Sequence, residues 1–216
     1  MADHLTKDDI IKAVLDTSFL LSAGAASLSD IAGALNIKKA SLYNHFENRD
    51  DLFEKSLDSC REYYREISFI PSDIDSVAKK YPAATVFKGI VTRYVRMHEK
   101  SPLFQIYTFI ESQKYFNMKA AEIVQEEEEK ILSQTRIVLE TLLKVNKLKI
   151  GEQMIPSAAK WFCSGFKTIM ENYLIERKKL IVSNPRDGEG ELFSLPPDEE
   201  GMEMINAFLE DFCKMI

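Results

Sequence analysis

A short run of basic, hydroxyl-bearing and amide side chains near the N-terminus has the chemistry of a nucleic-acid contact. Lys38 and Lys39 are adjacent, and a lysine donates either to O6 and N7 of guanine or to a phosphate oxygen. Ser41 and Asn44 offer hydrogen-bonding groups to base edges or phosphates from the exposed side of a helix. The hydroxyl of Tyr43 would reach a phosphate if the ring lies on that side. The alternatives are solvated surface lysines and a tyrosine packed in the core.

Two short helices joined by a tight turn must hold these side chains. Ser27-Leu28-Ser29-Asp30 has the pattern of a capping box, with aspartate in place of glutamate, and predicts a helix that continues to about Leu35. Asn36 predicts the turn, because asparagine tolerates the left-handed conformation. A second short helix is predicted over residues 38–45. This layout is typical of a helix-turn-helix, whose second short helix enters the major groove with its N-terminal residues first.

Longer helices are predicted on both sides of this pair. Residues 6–23 carry apolar side chains at three-and-four spacing, with Thr6 as the N-cap and Gly24 at the C-terminal end. A fourth helix is predicted from Asn48, a favourable N-cap, to about residue 69, with aspartates in its first turn. The short pair is therefore framed by two elements that can supply its core.

Residues 27–53, SLSDIAGALNIKKASLYNHFENRDDLF, strongly resemble the DNA-binding motif of the tetracycline-repressor (TetR) family. That family usually carries a glycine in the turn where this chain has Asn36. The matching positions, which run together without a gap, are Ile31, Ala32, Ile37, Leu42, Tyr43, His45, Phe46, Arg49, Leu52 and Phe53.

The resemblance implies an all-α protein with two domains. An N-terminal three-helix helix-turn-helix domain, residues 1–50, would bind DNA, and a larger C-terminal helical domain, residues 51–216, would bind a ligand and dimerise. The fourth helix, from about 48 to 69, would connect them. We expect a repressor that a small-molecule ligand releases from a palindromic double-stranded operator, although activation uses the same physics.

The resemblance also implies which side chains face DNA. His45 is expected to contact a phosphate, with local capping or packing as the alternative. Arg49 lies at the start of the fourth helix and suits a phosphate clamp. The apolar positions of the motif are interpreted as core. The predicted DNA-binding residues are Ser27, Lys38, Lys39, Ser41, Tyr43, Asn44, His45 and Arg49.

The charge balance opposes strong non-specific DNA binding. The chain has a formal net charge of −6, whereas non-specific binding depends on neutralising phosphates. Residues 1–55 carry six basic and nine acidic side chains and are therefore acidic by themselves. Exposed charges separated by more than roughly 8–10 Å are largely screened. A local basic face can therefore support a specific contact, and we expect modest non-specific affinity.

The rest of the sequence predicts helices. Long segments show helical periodicity, and no run alternates as a strand would. Residues 182–201, rich in turn-forming residues and acids, are predicted to form a loop. A long helix is predicted from about 118 to 145, and its acidic run, Glu126 to Glu129, is interpreted as a solvated face.

Two strongly apolar helices near the C-terminus are expected to form a homodimer. One surrounds Trp161 to Ile175 and the other covers residues 204–216, so that two chains would make a four-helix interface. Burial inside one chain is the alternative. The predicted interface residues are Phe162, Phe166, Tyr173, Ile205, Phe208, Leu209 and Phe212.

An effector pocket is expected among aromatic side chains with a few polar groups, the usual composition of a ligand cavity. The same composition serves a core, and core is the alternative for each residue. The ligand could be aromatic, acyl or cationic. The candidates are Tyr94, His98, Phe104, Tyr107, Glu111, Tyr115, Trp161 and Phe166.

Other function classes have little support. Three dispersed cysteines argue against a metal site or a disulfide framework. The content of hydrophobic residues, 45%, is enough for a core that needs no cofactor. No Glu-x-x-His pair supports an all-helical enzyme or metal carrier. A helical interaction protein that does not bind DNA is the remaining alternative. The sequence shows neither a signal peptide nor an apolar run of about 18 residues, so we expect a cytoplasmic protein.

Overall fold

All regular structure described in the computed structural model is helical, as the sequence predicted. The structure describes residues 5–183 and 198–216. Most of the loop predicted over 182–201 lies outside these residues, and its described ends, 182–183 and 199–201, are helical. The helices are α1 (Lys7–Leu21), α2 (Leu28–Ala34), α3 (Lys39–Leu42), α4 (Arg49–Glu66), α5 (Ile74–Lys80), α6 (Ala83–His98), α7 (Leu103–Glu111), α8 (Met118–Lys144), α9 (Ile155–Ser183) and α10 (Glu199–Met215), with a 3-10 turn, Glu152–Met154, leading into α9.

The chain divides into two compact units. Unit 1 comprises Met1–Ile67 and Ser101–Glu126, and unit 2 comprises Ser68–Lys100 and Glu127–Ile216. Unit 1 thus contains the first four helices together with α7 and the first residues of α8. The predicted division at residue 50 separates a DNA-binding domain from a ligand-binding and dimerisation domain. It stays a prediction.

The core of unit 1 forms where α1 packs against α2, α4 and α7. The apolar stripe of α1 is buried, with Ile10 and Val14 at 0% exposure. The ring of Phe19 meets that of Phe104 from α7 edge-to-face, with centroids 5.0 Å apart. Thr6 caps α1 as predicted, in a reciprocal capping box with the third residue of the helix. Phe104, a predicted pocket residue, is therefore part of this core.

The end of α1 differs from the prediction. The helix stops at Leu21, and Ser22, rather than Gly24, adopts a positive φ of 83°. The amide of Ser22 donates to the carbonyl of Ser18 at 2.8 Å, and its Oγ accepts from the amide of Ala25 at 3.3 Å. The prediction was wrong because a hydroxyl that bonds the neighbouring backbone can support the exit from a helix.

The turn between α2 and α3 agrees with the prediction. Asn36 is left-handed, with φ of 52°. Its amide donates to the carbonyl of Gly33, and the amide of Ile37 donates to the carbonyl of Ala32, both at 3.0 Å. These two bonds form the Schellman arrangement, which satisfies the last carbonyls of a helix. α8 ends in the same way at Asn146, where φ is 55°.

One helix is shared by the two units. α4 ends at Glu66, slightly before the predicted residue 69, and lies within unit 1. α8 is continuous over 27 residues, of which those up to Glu126 belong to unit 1 and those from Glu127 belong to unit 2. α8 is therefore a continuous helical link between the units, in addition to the connecting role predicted for α4.

Unit 2 is built on α6, α9 and α10, with α10 packed on both of the other helices. Phe162 of α9 is central, because its ring centroid lies 5.0 Å from that of Phe87 and 5.1 Å from that of Phe212. Gly165 allows α9 and α10 to approach closely, since a Cβ there would lie 2.5 Å from the ring of Phe208. The apolar faces of these helices are thus used inside the chain.

The left-handed turn gives a prediction about stability. Asn36→Ala should lower the free energy of unfolding by about 1–2 kcal/mol, because a residue with a Cβ and no local hydrogen-bonding group is disfavoured there. Asn36→Gly should keep the stability within about 1 kcal/mol of the unmodified protein. Urea denaturation followed by circular dichroism measures both variants. Equal destabilisation by alanine and glycine would contradict the left-handed turn.

Candidate nucleic-acid interface

The start of α2 is fixed by a capping box at Ser27. Its Oγ accepts from the amide of Asp30 at 3.2 Å, and Oδ2 of Asp30 accepts from the amide of Ser27 at 2.9 Å. The hydrogen bonds from Ser27 hold the pKa of the Asp30 carboxyl below its usual value. Ser27 was a predicted DNA contact, and its hydroxyl is already engaged with Asp30 through this box.

The predicted recognition segment is exposed, although its helix is shorter than expected. α3 covers only Lys39–Leu42, followed by tight turns in which the amides of Asn44 and His45 donate to the carbonyls of Ser41 and Leu42. Two adjacent lysines, Tyr43 and Asn44 are exposed, the tyrosine at 51%. Ser41 and His45 are half-buried. The segment therefore presents both charge and hydrogen-bonding groups within a few residues.

Buried apolar side chains hold this segment from the opposite side. Leu42 and Phe46 are 1% and 4% exposed, and Ile31 of α2 is at 0%. Phe53 of α4 is buried with them, whereas Ile37 is half-buried. Ala32 is also buried, at 3% exposure. The interpretation of the motif's apolar positions as core is thus confirmed for five of the six. The exposed residues of α3 are thus attached to a packed base.

Arg49 has a different environment from the one predicted. Its Nη2 donates to the carbonyls of Ala23 and Ala26 at 2.6 and 3.1 Å, and its Nε donates to Ala26 at 3.2 Å. The guanidinium carbon lies 3.9 Å from the centroid of the Phe53 ring. Arg49 is half-buried. Two of its nitrogens therefore bind the loop before α2, a role that the sequence motif did not indicate.

The first turn of α4 also holds the segment that follows α3. Asn48 caps the helix by accepting from the amide of Asp51 at 2.9 Å. The carboxylate of Asp51 accepts from Lys55 at 2.9 Å and from the amide of Glu47 at 3.0 Å. The bond to Lys55, together with that to Glu47, lowers the pKa of Asp51. The ammonium of Lys55 lies 5.5 Å from the ring centroid of Phe46.

Ion pairs join α4 to the first residues of α8 within unit 1. Arg61 pairs with Glu122 at 3.0 Å and with Glu126 at 2.9 Å. Lys119 pairs with Glu54 and Asp58, at 3.0 and 2.8 Å. The hydrogen bond that Lys119 donates to Asp58 is the main contribution that raises the pKa of Lys119. No local sequence pattern indicates these pairs, because their members are more than 60 residues apart.

The predicted effector residues fall into the two units rather than one. Tyr94, His98, Trp161 and Phe166 belong to unit 2, and the other four belong to unit 1. Trp161 is 57% exposed and Tyr115 is 82% exposed. Those in unit 1 are Phe104, Tyr107, Glu111 and Tyr115, of which Glu111 pairs with Lys114 at 2.6 Å.

Three of the predicted effector residues meet inside unit 2. The rings of Tyr94 and His98 have centroids 4.3 Å apart, and Phe166 lies 6.0 Å from Tyr94. The hydroxyl of Tyr94 donates to Glu127 at 2.6 Å, and Nδ1 of His98 faces the carbonyl of Tyr94 at 2.9 Å. Burial lowers the pKa of His98 to about 4. The imidazole is therefore neutral near pH 7, with its proton on Nδ1 because a carbonyl only accepts.

The predicted dimer residues are mostly buried inside the chain. Six of the seven have exposures of 5% or less, and only Phe208 is half-buried. The six buried side chains pack within the protomer, where the apolar stripes of α9 and α10 form part of unit 2. A dimer interface through these residues stays a prediction. The exposed apolar side chains on these helices are Trp161, Ile175, Leu180, Val182, Met204 and Met215.

Two further features of the described residues bear on other function classes. Across residues 5–183 and 198–216, no group of three or more histidine, cysteine or acidic side chains is placed to hold a metal ion. Within the same ranges, no helix is both long and apolar enough to cross a membrane.

Comparisons with known proteins agree with this geometry. Residues 23–55 match the family described as bacterial regulatory proteins of the tetR family. The biofilm operon icaADBC HTH-type negative transcriptional regulator IcaR of Staphylococcus epidermidis is 36% identical over 58 residues, 27% of this chain and 31% of that protein. IcaR of Staphylococcus aureus strain Newman is 30% identical over 95 residues, 43% of this chain. The chain thus spans about half the length of the latter relative, 51%.

The fold comparison extends over nearly the whole chain. The crystal structure of a TetR transcription regulator from Haloarcula marismortui superposes with a TM-score of 0.63, covers 97% of both chains and is 11% identical. The capped α2, the turn at Asn36 and the exposed α3 form a helix-turn-helix, the layout of a motif that reads DNA. The N-terminal part of the chain thus carries the helix-turn-helix segment of the tetR family of bacterial regulatory proteins, and its fold is that of a TetR transcription regulator.

Proposed function

We propose that this chain is a repressor that binds a specific double-stranded DNA operator through α2 and α3. The observation that carries the proposal is the exposed segment from Lys38 to Asn44, held rigidly on Leu42 and Phe46. The repressor direction is supported by the IcaR relatives, which are named as negative regulators. A helix-turn-helix reads bases with side chains at the start of its second helix, which in this chain is Lys39.

A DNA-binding measurement tests this proposal. Lys39→Ala should weaken binding to the DNA upstream of the protein's own gene by roughly 1–3 kcal/mol and relax sequence preference, if the lysine reads a base. Tyr43→Phe should weaken binding to upstream and random duplexes alike, because phosphates carry no sequence code. Fluorescence anisotropy with both duplexes measures these effects.

The matched control for this measurement is Lys88→Ala, which removes an equivalent positive charge from an exposed position in unit 2. It should leave both affinities within about twofold, because distant exposed charges are screened. No preference of the unmodified protein for upstream over random DNA would reject specific binding. That result would favour the helical interaction protein.

We also propose that the functional species is a homodimer that uses the exposed face of α9. Trp161, Ile175 and Val182 are 57%, 45% and 57% exposed, and their separations are whole multiples of seven residues. Side chains at heptad spacing form one stripe, which is the pattern of a helix-pairing seam. Isologous pairing of this stripe would create two-fold symmetry, and a two-fold symmetric dimer requires a near-palindromic operator.

The dimer proposal predicts the effect of charge on that stripe. Trp161→Glu combined with Ile175→Glu should convert a dimer into a folded monomer, because both side chains are exposed within the protomer and only pairing buries them. Sedimentation velocity at micromolar concentration measures the species. Phe116→Glu, at a residue 91% exposed in unit 1, is the control and should remain dimeric. A monomeric unmodified protein would reject the proposal.

We further propose that a small molecule binding in unit 2 releases the operator. The cluster of Tyr94, His98 and Phe166 combines aromatic surface with the polar groups of His98 and Glu127, as ligand sites do. Because α8 continues from unit 2 into unit 1, a ligand that shifts α8 changes the support of α4 through Arg61 and Lys119. A coupling of about 1–3 kcal/mol would be typical.

Linkage supplies the measurement for the effector. An effector should raise the melting temperature of the unmodified protein. The same compound should raise the melting temperature of Tyr94→Ala by less. Operator DNA should raise the dissociation constant of the compound from the protein by some factor. The compound should raise the dissociation constant of the operator by the same factor. Isothermal titration with and without operator provides both values. Equal dissociation constants in the two titrations would contradict the coupling.

A further inference from the structure

The position of Arg49 in α4 is electrostatically unfavourable. It is the first residue of the helix, directly after the N-cap Asn48. The N-terminal end of a helix carries a partial positive charge and favours acids, as Asp50 and Asp51 illustrate. A cation at this position is therefore expected to have a local partner. The partners are carbonyl oxygens, since Nη2 binds Ala23 and both Nη2 and Nε bind Ala26.

The bound carbonyls belong to the loop that connects α1 with α2. α1 has no basic residue in its last turn, so Arg49 supplies the positive charge that carbonyls after a helix end favour. The amide of Ala26 donates to the carbonyl of Ser22 at 3.0 Å, and the next residue, Ser27, caps α2. Fixing the carbonyl of Ala26 therefore fixes the place where α2 begins.

We propose that Arg49 is a positioning residue of the DNA-binding head, and that it acts on the α1–α2 loop instead of on a phosphate. Through Ala23 and Ala26 it holds the start of α2, and α2 carries the turn that places α3. The guanidinium of Arg49 lies over the ring of Phe53, with Cζ 3.9 Å from the ring centroid. This contact fixes the direction of the guanidinium. The inference deepens the proposed function and rests on it for its effect on DNA.

Lysine cannot reproduce this contact. A guanidinium is planar, donates in several fixed directions and stacks on an aromatic ring, whereas an ammonium is a compact, strongly hydrated charge. Arg49→Lys would keep the positive charge but lose the simultaneous contacts with two carbonyls and the Phe53 ring. A phosphate clamp, by contrast, would keep much of its attraction in the lysine variant. The two roles therefore predict opposite results for this substitution.

Hydrogen exchange without DNA tests the structural part. In both Arg49→Ala and Arg49→Lys, the amides of residues 26–31 should exchange about tenfold faster or more, because the loop opens more easily. Amides of α9 and α10 should keep their protection, which shows that the variant is folded. Lys38→Ala is the matched control and should not change exchange in 26–31, since its side chain makes no capping bond. Unchanged exchange in Arg49→Lys would overturn the proposal.

Salt dependence of DNA binding tests the functional part. Both variants should bind upstream DNA about tenfold more weakly, as expected for the loss of one base contact, with an unchanged slope of log K against log salt. A slope reduced by about 0.9 in Arg49→Ala and restored in Arg49→Lys would indicate a phosphate contact and overturn the proposal. If the unmodified protein binds no DNA, the proposed function fails, whereas the exchange experiment still decides the role of Arg49 in the loop.

Discussion

The shortness of α3 is the constraint on which the DNA-binding head depends. An isolated helix of fewer than about 12–15 residues is marginal in water, and α3 has four residues. Its geometry is therefore imposed from outside, by the burial of Leu42 and Phe46 below it and by the left-handed turn at Asn36 before it. The exposed lysines gain a fixed direction only through these contacts. Stability and DNA recognition consequently share the same few residues.

The same arrangement explains how an acidic chain presents a basic segment. Asp9, Asp30 and Asp51 all lie in the first turns of helices and accept backbone amides. A carboxylate in that position is offset by the partial positive charge of the helix end. Residues 38–46 contain no acid. Three of the acids of unit 1 are thus tied to helix starts, and the formal charge of the domain is a poor guide to the field at α3.

Local signals were readable from the sequence, and long-range contacts were not. The N-cap at Thr6, the capping box at Ser27 and the turn at Asn36 depend on residues within five positions, and all three were predicted. The carbonyl contacts of Arg49 span 23 to 26 residues, so no local pattern reveals them. The apolar stripes of α9 and α10 correctly predicted that one face of each helix is buried. They did not predict what covers that face, because periodicity does not say whether the same chain or another copy does so.

The acidic run of α8 shows the same limit. The run was interpreted as a solvated face, and Glu126, Glu128 and Glu129 are exposed whereas Glu127 is half-buried. Consecutive helical residues point in different directions, because each turns by about 100°. Glu126 pairs with Arg61 in unit 1, whereas Glu127 accepts from Tyr94 and Glu128 binds Lys167 in unit 2. Adjacent residues of one helix therefore bind side chains of different units, which a run of identical residues does not reveal in a sequence.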